Sequence, residues 1–269
     1  MATLTARPLA GDAPAIQVII PAGAVPSGQA YNVRGRTSQG FEWLVRGGTG
    51  VSDGTQVVLA DPLAPVNQPI TYEASTASGV VATSPQVTRP WSGRDLMTDM
   101  TAAVTVGLLW QGGDQRTIDR RLTLHTIPGR ATPVPVMDAV MGAGDLSLTA
   151  RTTGADSANM LALAASTSVV ALLHNPATCA LCRMGVCDVP PVTVLALTDV
   201  SHVLSARMDT AERLWTLKGA VVAVPEPTRR LATSSWDDFD RLRWPWSLVD
   251  LQRMRWDVFD ATVWQEVGR

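Results

Sequence analysis

A histidine and three cysteines fall within fourteen residues of one another: His174, then Cys179-Ala-Leu-Cys182-Arg-Met-Gly-Val-Cys187. Thiolate sulfur and imidazole nitrogen are the donors a tetrahedral zinc ion takes, and Cys-x2-Cys is the usual half-site. His174 and the three cysteines would supply four ligands. Such a set leaves no open position, so any metal there would be structural. The pattern is incomplete, because a second Cys-x2-Cys or His pair is missing and the gap from Cys182 to Cys187 is not the standard one. Two other readings stand beside the metal: a local disulfide formed once the protein leaves the cell, and free thiols buried in a strand and its loop. The incomplete pattern favours these two.

Other chemistry finds little footing. The remaining histidines, His125 and His202, fall with His174 in strand-like stretches and read as core or face residues rather than general bases. No Gly-x-Ser-x-Gly elbow, His-Glu-x-x-His pair or phosphate-cradling glycine loop is present. Arg46-Gly-Gly-Thr-Gly50 reads as a turn between strands. Asp53, Asp61, Asp114 and Asp145 read as turn aspartates. The expectation is a protein that is not an enzyme.

The elements around these residues are mostly strands. Over residues 14–90, candidate strands are Ile16–Ile20, Ala30–Arg36, Phe41–Arg46, Thr55–Ala60, Ile70–Ser75 and Gly79–Thr83, separated by turn-forming Gly, Pro, Ser and Asp clusters. Phe41, Trp43 and Val45 alternate with polar neighbours, as do Ile70, Tyr72 and Ala74, which predicts strands with one buried face. The spacing suits an immunoglobulin- or fibronectin-III-like sandwich, with Tyr72 at a corner bonding back to the loop that starts at Asp61. Residues 1–13 read as an N-terminal arm.

Residues 91–227 read as a second β-rich domain, a barrel or sandwich. Its candidate strands are Val104–Trp110, Arg121–Ile127, Val134–Asp138, Leu146–Arg151, Val169–His174, Val192–Leu197 and Arg213–Val224. One short helix fits at Asp156–Ala165, capped by Asp156, with Met160, Leu161 and Ala164 on its apolar side. Gln111-Gly-Gly-Asp114 and Pro128-Gly-Arg130 read as loops. The apolar centre Leu161–Leu173 of the longest uncharged stretch spans 13 residues. That is short of the about 20 that a membrane span needs, so it reads as a buried helix and a buried strand.

The segment 228–269 is different. Trp-x-x-[Phe/Val]-Asp begins at Trp236, Trp246 and Trp256, a ten-residue repeat that also places Trp244 and Trp264 in register. Ten residues leave a helix about 80° short of three whole turns, so no stripe forms, and Pro245 interrupts any helix through the middle. Short turns capped by Asp237, Ser247 and Asp257 fit better. Such turns are unstable alone in water, so the five tryptophans must bury against this chain or against a neighbour.

Composition bounds the partners. Apolar residues make up 46% and charged residues 17%, enough for packed cores, and the net charge of −2 argues against nucleic acid. Lys218 is the only lysine, a bias that fits a GC-rich coding sequence. Met1-Ala-Thr-Leu-Thr-Ala-Arg-Pro8 shows no signal-peptide pattern, so synthesis in the cytoplasm without membrane insertion is expected.

The order of four stretches resembles minor tail proteins of long-tailed phages that infect actinobacteria. They are Trp43-Leu-Val-Arg-Gly-Gly48 with Asp61-Pro-Leu-Ala-Pro65 and Ile70-Thr-Tyr-Glu-Ala74; Ile118-Asp-Arg-Arg-Leu-Thr-Leu124 with Gly129-Arg-Ala-Thr-Pro-Val134; Leu146-Ser-Leu-Thr-Ala-Arg-Thr152, a helix and Val169-Val-Ala-Leu-Leu-His-Asn-Pro176; and Arg213-Leu-Trp-Thr-Leu217 running through Val224-Pro-Glu-Pro227 into the tryptophan repeat. The resemblance implies a structural subunit of the virion tail tip or baseplate, in contact with hub proteins, distal tail proteins or fibres. It also implies a second domain like the ring-forming region of distal tail proteins, hence a homo-oligomer. It assigns no catalytic residue or cofactor, and the cysteine cluster departs from the family pattern. The alternative is an adhesin module that binds host-surface glycan, for which Trp91 and Trp110 beside Gly-rich loops are the candidate platforms.

Overall fold

The computed structural model describes residues 2–9, 15–118, 120, 122–137, 142–166, 169–204 and 212–225. In chain order the strands are β1 Ala2–Thr3, β2 Thr5–Pro8, β3 Ile16–Ile20, β4 Ala30–Thr37, β5 Glu42–Val51, β6 Val57–Asp61, β7 Pro69–Thr76, β8 Gly79–Thr83, β9 Val87–Thr88, β10 Asp95–Asp99, β11 Thr105–Arg116, β12 Leu122–His125, β13 Val134–Met137, β14 Asp145–Thr152, β15 Val169–Leu173, β16 Val192–Leu204 and β17 Arg213–Val221. Two helices, α1 Ala155–Ser166 and α2 Ala180–Arg183, flank β15. Strand outweighs helix by 54% to 8%, so the chain is mainly β.

The first module is a sandwich. One sheet runs β1-β8-β7-β4-β5, with β9 also pairing β7, and the other runs β2-β3-β6. Alternating apolar residues of both sheets share one core: Ile16, Val18 and Ile20 from one, Val33, Val45, Ile70, Tyr72 and Ala74 from the other. The described part of the expected N-terminal arm contains two strands. β2 pairs with β3, β1 pairs in parallel with β8, and Leu4 between them is fully buried. One apolar residue among Thr, Ala and Arg gives a weak periodic signal, so the sequence pattern conceals these strands.

At the sandwich centre sits Asp61, at the end of β6 and wholly buried rather than in an exposed turn. Its Oδ2 accepts from the Trp43 indole at 2.9 Å and the Tyr72 hydroxyl at 2.8 Å, and its Oδ1 accepts from the Leu63 amide at 3.1 Å. Tyr72 therefore bonds back across the corner as expected, to a side chain. Burial pushes the Asp61 carboxyl above its ordinary range, against these bonds and the charge of buried Arg89. Arg89 in turn donates to the carbonyls of Pro62, at 3.1 Å, and Ala64, pinning the loop between β6 and β7.

Glycines read as turns prove to be strand irregularities. Arg46-Gly-Gly-Thr-Gly50 lies inside β5, where Gly47 has φ 73 and the pairing with β4 shifts register. Gln111-Gly-Gly-Asp114 lies inside β11, which shifts register twice against β14. Bulges use glycine for the same backbone freedom that turns do. Asp114 is accordingly a strand residue, paired with Arg116 at 3.0 Å, and Asp145 opens β14. Asp53 alone of the four keeps its turn role, accepting from the Thr55 amide at 2.8 Å.

The second module is a closed six-stranded barrel, β10-β11-β14-β17-β16-β15, with every neighbour antiparallel. Met97, Val106, Leu108, Leu148, Leu172, Leu195, Trp215 and Leu217 belong to its core cluster, and Met160 and Leu163 of α1 join them. The buried apolar residues of α1 are therefore Met160 and Leu163, while Leu161 is exposed. Asp156 is not a cap. It lies in the first helical turn, and its carboxylate accepts from the Gly107 amide of β11 at 3.1 Å, tying helix to barrel. The buried Trp215 indole donates to Thr152 Oγ1 at 2.8 Å.

Strand β10 was not foreseen, because Asp95, Thr98 and Asp99 mask its pattern. All four of its first residues are nonetheless buried. The two modules belong to one compact unit, Met1–Ala223. The Arg46 guanidinium donates to the Met100 carbonyl at 2.7 Å, and the Asn67 carboxamide donates to Trp91 O at 2.6 Å and accepts from the Trp91 amide at 3.0 Å. Asn67 has φ 53, a left-handed conformation that Asn tolerates better than most side chains. Among the described residues no helix is long and apolar enough to cross a membrane.

Candidate metal centre

β15 pairs with β10 so that Leu173 lies opposite Leu96, which brings Asp95 beside His174. Asp95 Oδ1 lies 2.9 Å from His174 Nδ1 and accepts from the Asn175 amide at 2.8 Å. With the carboxylate taking the Nδ1 proton, Nε2 is the ring nitrogen left to face the cysteines.

The chain then turns on Asn175. Its Oδ1 accepts from the Ala177 amide at 3.0 Å, and its Nδ2 donates to Gly93 O at 2.5 Å. Cys179 caps α2, its sulfur accepting from the Cys182 amide at 3.5 Å. Helix α2 closes with a left-handed glycine: Gly185 has φ 71, its amide donates to Cys182 O at 3.1 Å, and the Val186 amide donates to Leu181 O at 3.1 Å. This pair of bonds is the Schellman motif, which reverses the chain. It returns Cys187 to the cap and accounts for the long gap after Cys182.

The four donor atoms converge. His174 Nε2 lies 3.3 Å from Cys182 Sγ and 3.6 Å from Cys187 Sγ, and Cys179 Sγ lies 3.9 Å from Cys187 Sγ. All four lie within 4.8 Å of one another. Around a tetrahedral zinc with ordinary bond lengths, sulfur–sulfur edges are about 3.8 Å and sulfur–nitrogen edges about 3.6 Å. The three cysteines are free thiols, each partly buried.

The electrostatics are those of a coupled cluster. The hydrogen bond to Asp95 raises His174 to about 9 against the opposing effect of burial, with the Asp95 charge adding to the rise. Burial alone would raise the Cys179 thiol, but the Cys182 amide and the neighbouring thiols and imidazole bring it down to about 7. Burial and its two sulfur neighbours push Cys182 up to about 12. The thiols of the cluster therefore titrate as a coupled set, ionisation of one hindering the next.

The structure brings together His174, Cys179, Cys182 and Cys187, the four residues that the sequence offers as candidate ligands although its spacing favours a disulfide or free thiols. Asp95 and Asn175 complete the setting, and sequence alone gave no sign of the former, 79 residues from His174. The other foreseen sites are elsewhere. Trp236, Trp244, Trp246, Trp256 and Trp264 lie outside the described residues. His125 is exposed on β12, and His202 lies 4.7 Å from the Trp215 ring. The indole of Trp91 donates to Arg94 O at 2.7 Å.

Comparison with known proteins adds no relative: no family model, no curated protein and no solved structure matches the chain.

Proposed function

We propose that this chain is a non-enzymatic structural subunit of a phage tail tip or baseplate, assembling with copies of itself and with hub, distal tail or fibre proteins. The observation that carries the assembly part is the hairpin of β12 and β13. Leu122 pairs with Met137 and Leu124 with Pro135, and residues opposite one another in a ladder share a face. One face of this hairpin is therefore wholly apolar. Leu122, Leu124 and Met137 are 46%, 59% and 65% exposed. A two-stranded ribbon is marginal in water, and among the described residues no third strand pairs with this one. An exposed apolar face of this kind is an interaction surface.

The phage assignment rests on the resemblance of the four ordered stretches and on the tryptophan repeat within residues 228–269. The neutral charge balance fits protein partners rather than nucleic acid. Negative-stain imaging of tails labelled with an antibody to this chain is the test. Label at the tail tip is the expected result. Label absent from tails, with a monomeric protein that retains host-wall glycan, would favour the adhesin reading instead.

A further inference from the structure

We propose that His174, Cys179, Cys182 and Cys187 bind one structural zinc ion, which fixes the turn through which the barrel holds the sandwich. The inference is independent of the phage assignment. Three observations carry it.

The first is convergence: three of the six donor–donor separations are 3.3, 3.6 and 3.9 Å, close to tetrahedral sulfur–nitrogen edges, and all six stay within 4.8 Å. The second is the histidine's support. A carboxylate on Nδ1 is the usual partner of a metal-bound imidazole, and it aims Nε2 at the sulfurs. The third is the loop itself: the cap at Cys179 and the Schellman reversal at Gly185 bring three sulfurs to one point from only nine residues. A disulfide would use two of the three sulfurs and leave the imidazole without a task. Soft thiolates with one imidazole suit zinc, and four protein ligands exclude a catalytic open position. On binding, the thiols and the imidazolium give up the protons they carry on Sγ and Nε2, and Nε2 then donates its lone pair.

The consequence reaches the module boundary. Asn175, next to His174, accepts from the Asn67 carboxamide of the sandwich at 2.9 Å and donates to Gly93 O. Fixing His174 and the loop beyond it therefore holds this bridge in place.

The test uses the full chain, purified under reducing conditions from cells grown with added zinc. Elemental analysis should give one zinc per chain. Replacement by cobalt should give the visible absorption of a tetrahedral thiolate site. The three thiols should be shielded from a thiol reagent until a strong chelator is added, then all react. Asp95→Asn should weaken zinc about 10- to 100-fold in competition with a chromophoric chelator. Cys182→Ser should abolish stoichiometric zinc. If that variant does not fold, the chelator experiment on the unaltered chain decides alone. Zinc-free protein, thiols that react equally with and without chelator, a cysteine-to-cysteine link in the mass spectrum, or bound iron in place of zinc would each overturn the proposal.

Discussion

The sandwich and the hairpin of β12 and β13 use their residues in opposite ways. In the sandwich a carboxylate, a guanidinium, an indole and a hydroxyl are drawn together around Asp61. The carboxylate accepts from the indole and the hydroxyl, and one guanidinium nitrogen donates to two carbonyls, while Arg89 Nε and Nη2 are buried without a partner among the described residues. In the hairpin, apolar side chains are turned outward with nothing of the described chain over them. Buried polar groups are costly to leave unmade, so the sandwich is self-specified. Exposed apolar groups are costly to leave uncovered, which is why we propose that the hairpin is completed from outside. On the proposed assembly, the same sequence finishes the sandwich internally and leaves the hairpin to be covered by a neighbour.

The comparison breaks most sharply at Asp61. Asp61→Ala would strand the Tyr72 hydroxyl, the Trp43 indole and the Arg89 charge in the core. A loss of about 3–5 kcal/mol is expected, read from urea unfolding, with hydrogen exchange showing the loss in β3–β8 rather than in the barrel. Unchanged stability would mean that the network is not what specifies the sandwich.

Gly35→Ala should cost less, about 1–3 kcal/mol, by overpacking. The Trp43 ring lies across Gly35, and an added Cβ would come within 2.2 Å of it. Gly35→Ala should cost less in a Trp43→Leu background than in the unaltered chain, a coupling that a double-mutant cycle reads.

A milder effect concerns acid. The Asp99 carboxyl is partly desolvated, which raises it, but its bonds from Thr101 and Val104 hold it below the ordinary value. A group depressed in the folded state adds stability above its unfolded value and loses that contribution as pH falls through its folded one. Asp99→Asn should therefore flatten the fall in stability below about pH 4 and leave the behaviour near pH 2 similar to that of the unaltered chain.

The smallest change in stability is expected on the hairpin. Leu124→Glu with Met137→Glu should move folding by under about 0.5 kcal/mol, because both side chains already face solvent. Deleting residues 228–269 should likewise leave both β modules folded while preventing incorporation into tails. Truncated chains that still incorporate would contradict the interface role of the repeat.

Legibility in the sequence followed physical signal strength. β3 and β8 were placed to the residue, because alternating apolar residues between glycine and proline turns leave little choice. β1, β2 and β10 were missed where short strands carry Thr, Arg or Asp and pair with distant partners. Glycine misled in β5 and β11, since a bulge and a turn demand the same backbone freedom. The cysteine cluster was legible as a list of ligand types. That it closes depends on Gly185 being left-handed and on Asp95 arriving from a strand 79 residues away, and neither fact has a local signature.

The claim that the molecule is completed from outside is tested most directly by sedimentation over a concentration series. The intact chain should pass from monomer to a defined oligomer, and the Leu124→Glu, Met137→Glu variant should stay monomeric with an unaltered circular dichroism spectrum. An intact chain that remains monomeric at every concentration, or a variant that assembles as well as the original, would contradict the account.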